Sequence, residues 1–302
     1  MLLIGVALSV VLGLTACSGS VAGTAAPAGQ SAGTTGQDTS GPPETGPAPT
    51  ATAGASTGGT ATGGTLPAGP ITLVSLGDSL TAGQGEDPER SYPDRLRADL
   101  EAAGRAGSTA VNLGRSGWDS AEVISGADGD GGQLPAALDA IAQAKQESRP
   151  VIATLLIGSN DLWRLYAPDG DSTTAEQEQQ NLDTYRSNVT RIVGDLRAAG
   201  ALVVIGINDD QSRRPAITDP AIRQNTVPGI TDAEAVRMTA QATRFAEVVR
   251  TVAAANDALV VDFFTAPFFT DPALLAEDGV HPNAKGYDRM AAMWWDVIRT
   301  LL

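Results

Sequence analysis

The sequence is poor in the side chains that build disulfides and metal centres. Its 302 residues include one Cys and one His. A single Cys excludes an internal disulfide and a multi-thiolate zinc site, and a single His excludes a centre with two or three imidazole ligands. We therefore expect no metal centre of these kinds.

Basic residues are also scarce relative to acidic ones. The chain has 20 Lys and Arg against 35 Asp and Glu, a formal net charge of −15. Proteins that bind phosphate backbones carry basic patches, so this balance argues against nucleic acid as a partner.

The amino-terminal 14 residues form an almost wholly apolar run, MLLIGVALSVVLGL. This run is too short to span a hydrocarbon core of ~30 Å but has the length of a signal-peptide core. No basic residue precedes it, which departs from the usual signal peptide. The next residues, Leu-Thr-Ala-Cys at 14–17, resemble the lipobox of bacterial lipoproteins, in which the Cys receives diacylglycerol.

That resemblance implies a lipoprotein signal peptide over residues 1–16 and lipid attachment at Cys17. The protein would then be exported and held on the outer face of the bacterial cell membrane or envelope. The alternative is a free Cys at the end of an ordinary signal peptide.

Residues 17–69 are dominated by Gly, Ala, Thr, Ser and Pro. After Cys17 they contain only Asp38 and Glu44 as charged residues and no aromatic residue. Such a composition cannot bury enough apolar surface to offset the entropy of ordering, so it predicts a disordered tether. All aromatic residues lie between Tyr92 and Trp295, and we expect one folded domain over residues 70–302.

The expected domain alternates short apolar runs with helical patterns. The runs predict buried strands at 71–76, 110–113, 151–157, 201–207 and 259–263. The patterns predict helices at 92–103, 134–146, 175–199, 232–256 and 284–302, with Gly104 and Gly200 as stops and Thr231 and Asn283 as N-caps. This alternation predicts an α/β fold with a parallel sheet covered on both faces, whose ligand lies at the carboxyl ends of the strands.

The single imidazole and one hydroxyl are the first candidates for chemistry at that edge. His281 can exchange a proton near neutral pH, and Asp278 three residues earlier could orient its ring. Ser79 directly follows the first strand, in a Gly-rich turn that presents a hydroxyl. Each has an ordinary alternative: a surface His beside a helix start, and a Ser that caps a helix. The turn lacks the Gly-x-Ser-x-Gly pattern of an α/β-hydrolase.

Two further loops offer hydrogen-bond donors for a negatively charged oxygen. Gly117 lies in a Gly-rich segment after the second strand, and Asn160 follows the third. Gly and Asn are also common turn residues, so neither loop is specific alone.

Together these segments resemble the SGNH hydrolases, also called GDSL esterases and lipases. The matching motifs are Gly77-Asp78-Ser79-Leu80, Gly117 within 112–120, Gly158-Ser159-Asn160-Asp161 and Asp278-Gly279-Val280-His281-Pro282, which occur in the family's order. The resemblance spans residues 71–302.

The resemblance implies a flavodoxin-like α/β/α sandwich with strand order 2-1-3-4-5. It also implies a serine esterase in which Ser79 is the nucleophile, His281 the general base and acid, and Asp278 the orienting carboxylate. The oxyanion donors would be the backbone N–H groups of Ser79 and Gly117 and the side-chain amide of Asn160. An acyl-enzyme would form and be hydrolysed without a metal or organic cofactor. Asp78 and Asp161 are assigned structural roles.

Other residues near the predicted edge have two interpretations. The aromatic side chains Trp118, Trp163 and Phe268 could line a substrate pocket or belong to the core. The pairs Asp209-Asp210 and Arg213-Arg214 could line the edge or form a charged loop. The acidic loop 128–132 resembles a calcium site but lacks its later Glu, so we interpret it as a solvated turn.

For the substrate we favour short-chain acyl or O-acetyl esters, free or attached to a glycan, because no long apolar insertion resembles a lipase lid. The alternatives are a lipase or phospholipase, a silent envelope scaffold on the same fold, and a calcium-dependent envelope module. The oligomeric state is not predicted by the sequence.

Overall fold

Five parallel strands form the centre of the structure. The computed structural model describes residues 66–302 apart from residues 88, 128 and 167–171. The predicted signal peptide, Cys17, most of the predicted tether and Asp128 of the acidic loop lie outside the described residues.

The strands are close to those that the apolar runs predict. They are β1 (Thr72–Gly77), β2 (Thr109–Asn112), β3 (Val151–Leu156), β4 (Leu202–Ile207) and β5 (Leu259–Asp262). They pair in the order β2-β1-β3-β4-β5, with Thr72 of β1 in register with Thr109 and Val151. The predicted fold class and strand order are confirmed.

Ten α-helices surround the sheet or connect its strands. They are α1 (Ser79–Ala82), α2 (Tyr92–Ala102), α3 (Ser120–Ser125), α4 (Gln133–Gln146), α5 (Ser159–Tyr166), α6 (Ala175–Ala198), α7 (Pro215–Thr218), α8 (Pro220–Thr226), α9 (Asp232–Ala255) and α10 (Ala284–Ile298) within the described residues. Short 3₁₀ turns lie at Gln211–Arg213, Pro267–Thr270, Pro272–Leu274 and Arg299–Leu301. The predicted N-caps are present, since Thr231 accepts from the Glu234 N–H at 3.2 Å and Asn283 from the Gly286 N–H at 3.1 Å.

Two hydrophobic cores lie on the two faces of the sheet. Successive residues of β1 point to opposite faces, as in any strand, so Val74 belongs to the core that contains residues of α4, α6 and α9, while Leu73 belongs to the core that contains residues of α2 and α10. The sheet is therefore buried on both sides.

The two ends of the described chain meet at the amino end of the sheet. The Leu66 N–H donates to the carbonyl of Leu301 at 2.8 Å. Arg105, which is 7% exposed, donates to the carbonyls of Pro67 and Leu302. The carboxyl edge, where the candidate site lies, is at the other end of the strands.

Candidate active site

The turn after β1 presents Ser79 at the carboxyl edge. Gly77 has φ +153°, and a Cβ there would lie 2.2 Å from the carbonyl oxygen of Leu156 and 2.3 Å from Thr81 Oγ1. Only glycine therefore allows β1 to pass this close to β3 and turn. Asp78 caps α1 by accepting from the Leu80 N–H at 2.9 Å, so Ser79 is the first helical residue and its N–H has no partner within the helix.

His281 meets Ser79 across 202 residues of sequence, and Asp278 contacts the other side of the His281 ring. His281 Nε2 lies 3.0 Å from Ser79 Oγ, and His281 Nδ1 lies 2.6 Å from Asp278 Oδ2. The other carboxylate oxygen, Oδ1, accepts from the backbone N–H groups of Val280 at 2.8 Å and His281 at 3.0 Å. The three side chains form one hydrogen-bonded chain.

The same hydrogen bonds decide the charge of Asp278. Burial alone would raise the pKa of this carboxyl, but the bonds from the His281 ring and from two backbone N–H groups outweigh it and lower the pKa to about 2. Asp278 is therefore ionised throughout the neutral and mildly acidic range, and it can hold the imidazole N–H as an acceptor.

Helix α5 holds the loop that contains Gly117. Asn160 Nδ2 donates to the carbonyl of Trp118 at 2.8 Å, and Arg164 Nη2 donates to the carbonyl of Gly117 at 2.6 Å. Asp161 accepts from Ser120, from its N–H at 3.0 Å and from its hydroxyl at 2.5 Å. The amide of Asn160 carries a second N–H beyond the one given to Trp118, which leaves it a donor for another acceptor.

Two buried carboxyl groups flank the site without touching the hydroxyl–imidazole–carboxylate chain. Burial raises the pKa of Asp78 to about 6, against the lowering effects of the Leu80 N–H and the positive charge of Arg214. Burial raises the pKa of Asp161 to about 7, although the bonds from Ser120 lower it. Asp78 caps α1, and Asp161 accepts from Ser120 at the start of α3.

The aromatic candidates differ in how much ring they expose. Trp118 is 8% exposed and Trp163 is partly buried against the core on the α4–α6–α9 face. Phe268 is 3% exposed and packs 4.2 Å from the Phe269 ring, centroid to centroid. Phe268 is thus a residue of the hydrophobic core, where its ring offers little surface to a substrate.

Two positioning contacts were not predicted from the sequence. Gln133, at the start of α4, pairs its amide with both backbone groups of Gly77, at 2.8 Å each. Arg214 forms a buried ion pair with Asp209 beneath the loop of His281. The charged pairs after β4 were the only signal for the second contact, and nothing in the sequence indicated the first.

The described residues contain neither a candidate metal site nor a helix suited to span a membrane. No group of three or more His, Cys, Asp or Glu side chains there is placed to hold a metal ion. None of the helices in that part of the chain combines the length and the apolar character needed to cross a bilayer.

A hydroxyl, an imidazole and a carboxylate at the carboxyl edge of a 2-1-3-4-5 parallel sheet define the class of SGNH/GDSL-type serine ester hydrolases. The model of the GDSL-like lipase/acylhydrolase family matches residues 75–289, and the chain belongs to that family.

Solved structures with this fold include several esterases. The chain is 21% identical to TesA, with a TM-score of 0.53 over 76% of this chain and 99% of that chain. It is 21% identical to Axe2, an acetylxylan esterase from Geobacillus stearothermophilus, with a TM-score of 0.51 over 76% and 94% of the two chains. These likenesses show the fold. No curated protein sequence is significantly similar to this chain.

Proposed function

We propose that this ester hydrolase acts through a catalytic triad of Ser79, His281 and Asp278 on short-chain acyl or O-acetyl esters. The observation that carries the proposal is the continuous contact from Ser79 Oγ to His281 Nε2 at 3.0 Å and from His281 Nδ1 to Asp278 at 2.6 Å. This is the geometry that a nucleophilic hydroxyl needs from its base, and that the base needs from its orienting group.

The reaction follows from the placement of each group. His281 Nε2 takes the Ser79 proton as Oγ bonds to the ester carbonyl carbon, and the C=O electron pair moves onto the oxygen. The imidazolium then gives its proton to the departing alcohol as the C–O bond breaks. Water, deprotonated by the same imidazole, attacks the acyl-enzyme and releases the acid and Ser79.

The tetrahedral oxyanion needs donors close to Ser79. We assign the backbone N–H groups of Ser79 and Gly117 and the second N–H of Asn160 to this role. Three observations support the assignment: the N–H of Ser79 has no partner within α1, Gly117 has a positive φ of +80°, and Asn160 lies against the loop of Gly117. Loss of one such donor typically costs about 3 kcal/mol of transition-state stabilisation.

We favour a short acyl group because the described surface exposes few large hydrophobic side chains. Within the described residues, Val236 is the only large hydrophobic residue that is mostly exposed, at 72%. Lipases that act at lipid interfaces present extended apolar surface, which this part of the chain does not have. Axe2, which shares the fold, is an acetylxylan esterase, so an acetylated glycan is the first natural substrate to test.

The test is a series of p-nitrophenyl esters from acetate to palmitate, given to the full chain and to Ser79→Ala. We expect hydrolysis that is fastest for acyl groups of two to four carbons and absent in Ser79→Ala. Fastest hydrolysis of long acyl groups would favour a lipase or phospholipase instead. Equal inactivity of both proteins on these esters and on acetylated xylan would favour a silent envelope scaffold.

We further propose that the protein is lipid-anchored through Cys17 on the outer face of the bacterial membrane or envelope. The lipobox-like residues 14–17 and the apolar run before them support this proposal. Cys17→Ala should release the protein into the medium, and continued membrane retention of that variant would contradict the anchor.

A further inference from the structure

A buried arginine lies beneath the loop that carries His281. Arg214 is 1% exposed, and it donates to both carboxylate oxygens of Asp209, from Nε at 2.8 Å and from Nη2 at 2.6 Å. Asp209 comes two residues after the end of β4. The guanidinium also lies over the Phe269 ring, 4.4 Å from its centroid. Arg214 is therefore held against the central sheet by a bidentate ion pair and a ring contact.

The remaining nitrogen of this guanidinium reaches the loop at 278–282, called here the histidine loop. Nη1 donates to the carbonyl of Val280, the residue before His281, at 3.1 Å. The carbonyls of the two residues before Val280 also accept hydrogen bonds, from residues shortly after Arg214 in the chain. Gly279 accepts from the Ala216 N–H at 3.3 Å, and Asp278 accepts from Thr226 Oγ1 at 3.3 Å.

Close packing shows that the histidine loop has little room to shift towards this region. Gly279 has φ +66°, and a Cβ there would lie 2.7 Å from Ala216 N and 3.1 Å from the Pro215 carbonyl carbon. On its other side, the Ala276 N–H donates to the His281 carbonyl at 2.8 Å. The position of His281 is thus determined by backbone contacts on successive residues, of which the Arg214 bond is the one with a charged donor.

The buried ion pair of Arg214 and Asp209 is not well explained by a contribution to the stability of the fold. Burying two charges costs desolvation energy, and apolar residues of similar volume often serve as well or better. A planar guanidinium that donates three directed hydrogen bonds fixes both the distance and the angle between the end of β4 and the histidine loop. Apolar packing has no such directional preference.

We propose that Arg214 is a positioning residue for His281. It transmits the position of β4, through Asp209, to the carbonyl of Val280 and so keeps Nε2 within hydrogen-bond distance of Ser79 Oγ. The inference rests on the proposed function of the triad. It requires no contact between Arg214 and the substrate.

Two variants test this role while keeping the protein folded. Arg214→Lys keeps the charge but has no planar fork, so it cannot bond Asp209 twice and Val280 at once. The double variant Asp209→Asn with Arg214→Met removes both charges together, which avoids stranding one in the interior. Arg213→Met, at the exposed neighbouring arginine, is the matched control.

The measurements are kcat and KM for p-nitrophenyl acetate, normalised to folded protein from thermal denaturation, and the rate at which diethyl p-nitrophenyl phosphate labels Ser79. In both Arg214 variants we expect kcat and the labelling rate to fall about 10- to 100-fold, since misplacement by about 1 Å costs about 100-fold. KM should stay within about twofold, because the substrate contacts are unchanged. Arg213→Met should match the unsubstituted chain.

Three results would overturn the inference. A lower melting temperature with kcat and labelling rate of the folded fraction unchanged would make Arg214 only a stabilising residue. A raised KM with unchanged kcat would place it in substrate binding. An equal loss in Arg213→Met would remove the role of the buried pair. If the unsubstituted chain is itself inert on every ester, the proposed function fails first, and this outcome is distinct from all three.

Discussion

Asp278 contributes to the site through the hydrogen bonds that it accepts. One carboxylate oxygen of Asp278 contacts the His281 ring, and the other accepts from two backbone N–H groups. These bonds keep the carboxylate ionised and fix its orientation. An ionised acceptor keeps the proton of the neutral imidazole on Nδ1 and leaves Nε2 free to act as a base.

Asp278→Asn should therefore lower kcat by roughly 10³- to 10⁴-fold with little change in KM, because an amide can place a donor against Nδ1 and favour the wrong tautomer. Steady-state kinetics with p-nitrophenyl acetate measure this. Glu277→Gln, at the exposed residue alongside, is the control and should keep the activity of the unsubstituted chain. Equal activity of Asp278→Asn would contradict the proposed triad.

The motifs predict that Ser79, Asp278, His281 and Asn160 lie at one edge, because each motif comes after the end of a predicted strand. Arg214 and Gln133 were not predicted, since their partners are a carbonyl 66 residues away and a backbone glycine 56 residues away. Contacts between a side chain and a distant backbone group leave no pattern in one sequence.

At the scale of elements, the long helices and the strands were predicted within one or two residues, except that the last helix ends at Ile298 and continues as a 3₁₀ turn. Their caps and apolar runs are local signals. The short helices α1, α3, α5, α7 and α8 were not predicted, because a helix of four to eight residues has too few turns to show a 3.6-residue period. These are the elements that carry or support the candidate site.

The turn between β1 and α1 depends on the absence of a side chain at Gly77. Gly77→Ala should destabilise the protein by at least about 2 kcal/mol, because the added Cβ meets both backbone strain and the Leu156 carbonyl. Thermal or urea denaturation measures the effect. Gly131→Ala is the matched control, since a Cβ there meets nothing within 4 Å, and it should change stability little.

At the scale of the whole molecule, buried carboxyl groups link stability to pH. The pKa of Asp78 is raised to about 6 and that of Asp161 to about 7, so above the ordinary pKa of 3.8 these two groups hold more protons in the folded state than in the unfolded state. Their ionisation therefore reduces stability as pH rises from that value through their folded pKa values. Asp278, whose folded pKa is about 2, has the opposite sign and loses its stabilising contribution only as pH falls below 3.8.

We expect the melting temperature to fall between about pH 4 and about pH 7.5, and Asp161→Asn to reduce that slope because it removes one of the two groups. Melting curves across this range measure it. Asp139→Asn, an exposed position on α4, should leave the slope unchanged. A slope that is the same in Asp161→Asn would show that this carboxyl ionises at its ordinary pH.

The bond between Leu66 and Leu301 brings the two ends of the described part of the chain together, at the end of the sheet opposite Ser79. In a protein limited to residues 66–302, a short Gly-Ser linker from residue 302 to residue 66 should permit a circular permutant opened in the exposed turn at Ser148, which also lies at that end of the sheet. This permutant should fold and hydrolyse acetate esters at the same rate as the domain with its original connectivity. Its sequence would no longer begin with β1, the strand that precedes Ser79. Comparing the refolding rates of the two proteins would then show whether fast folding depends on the original order of the strands along the chain.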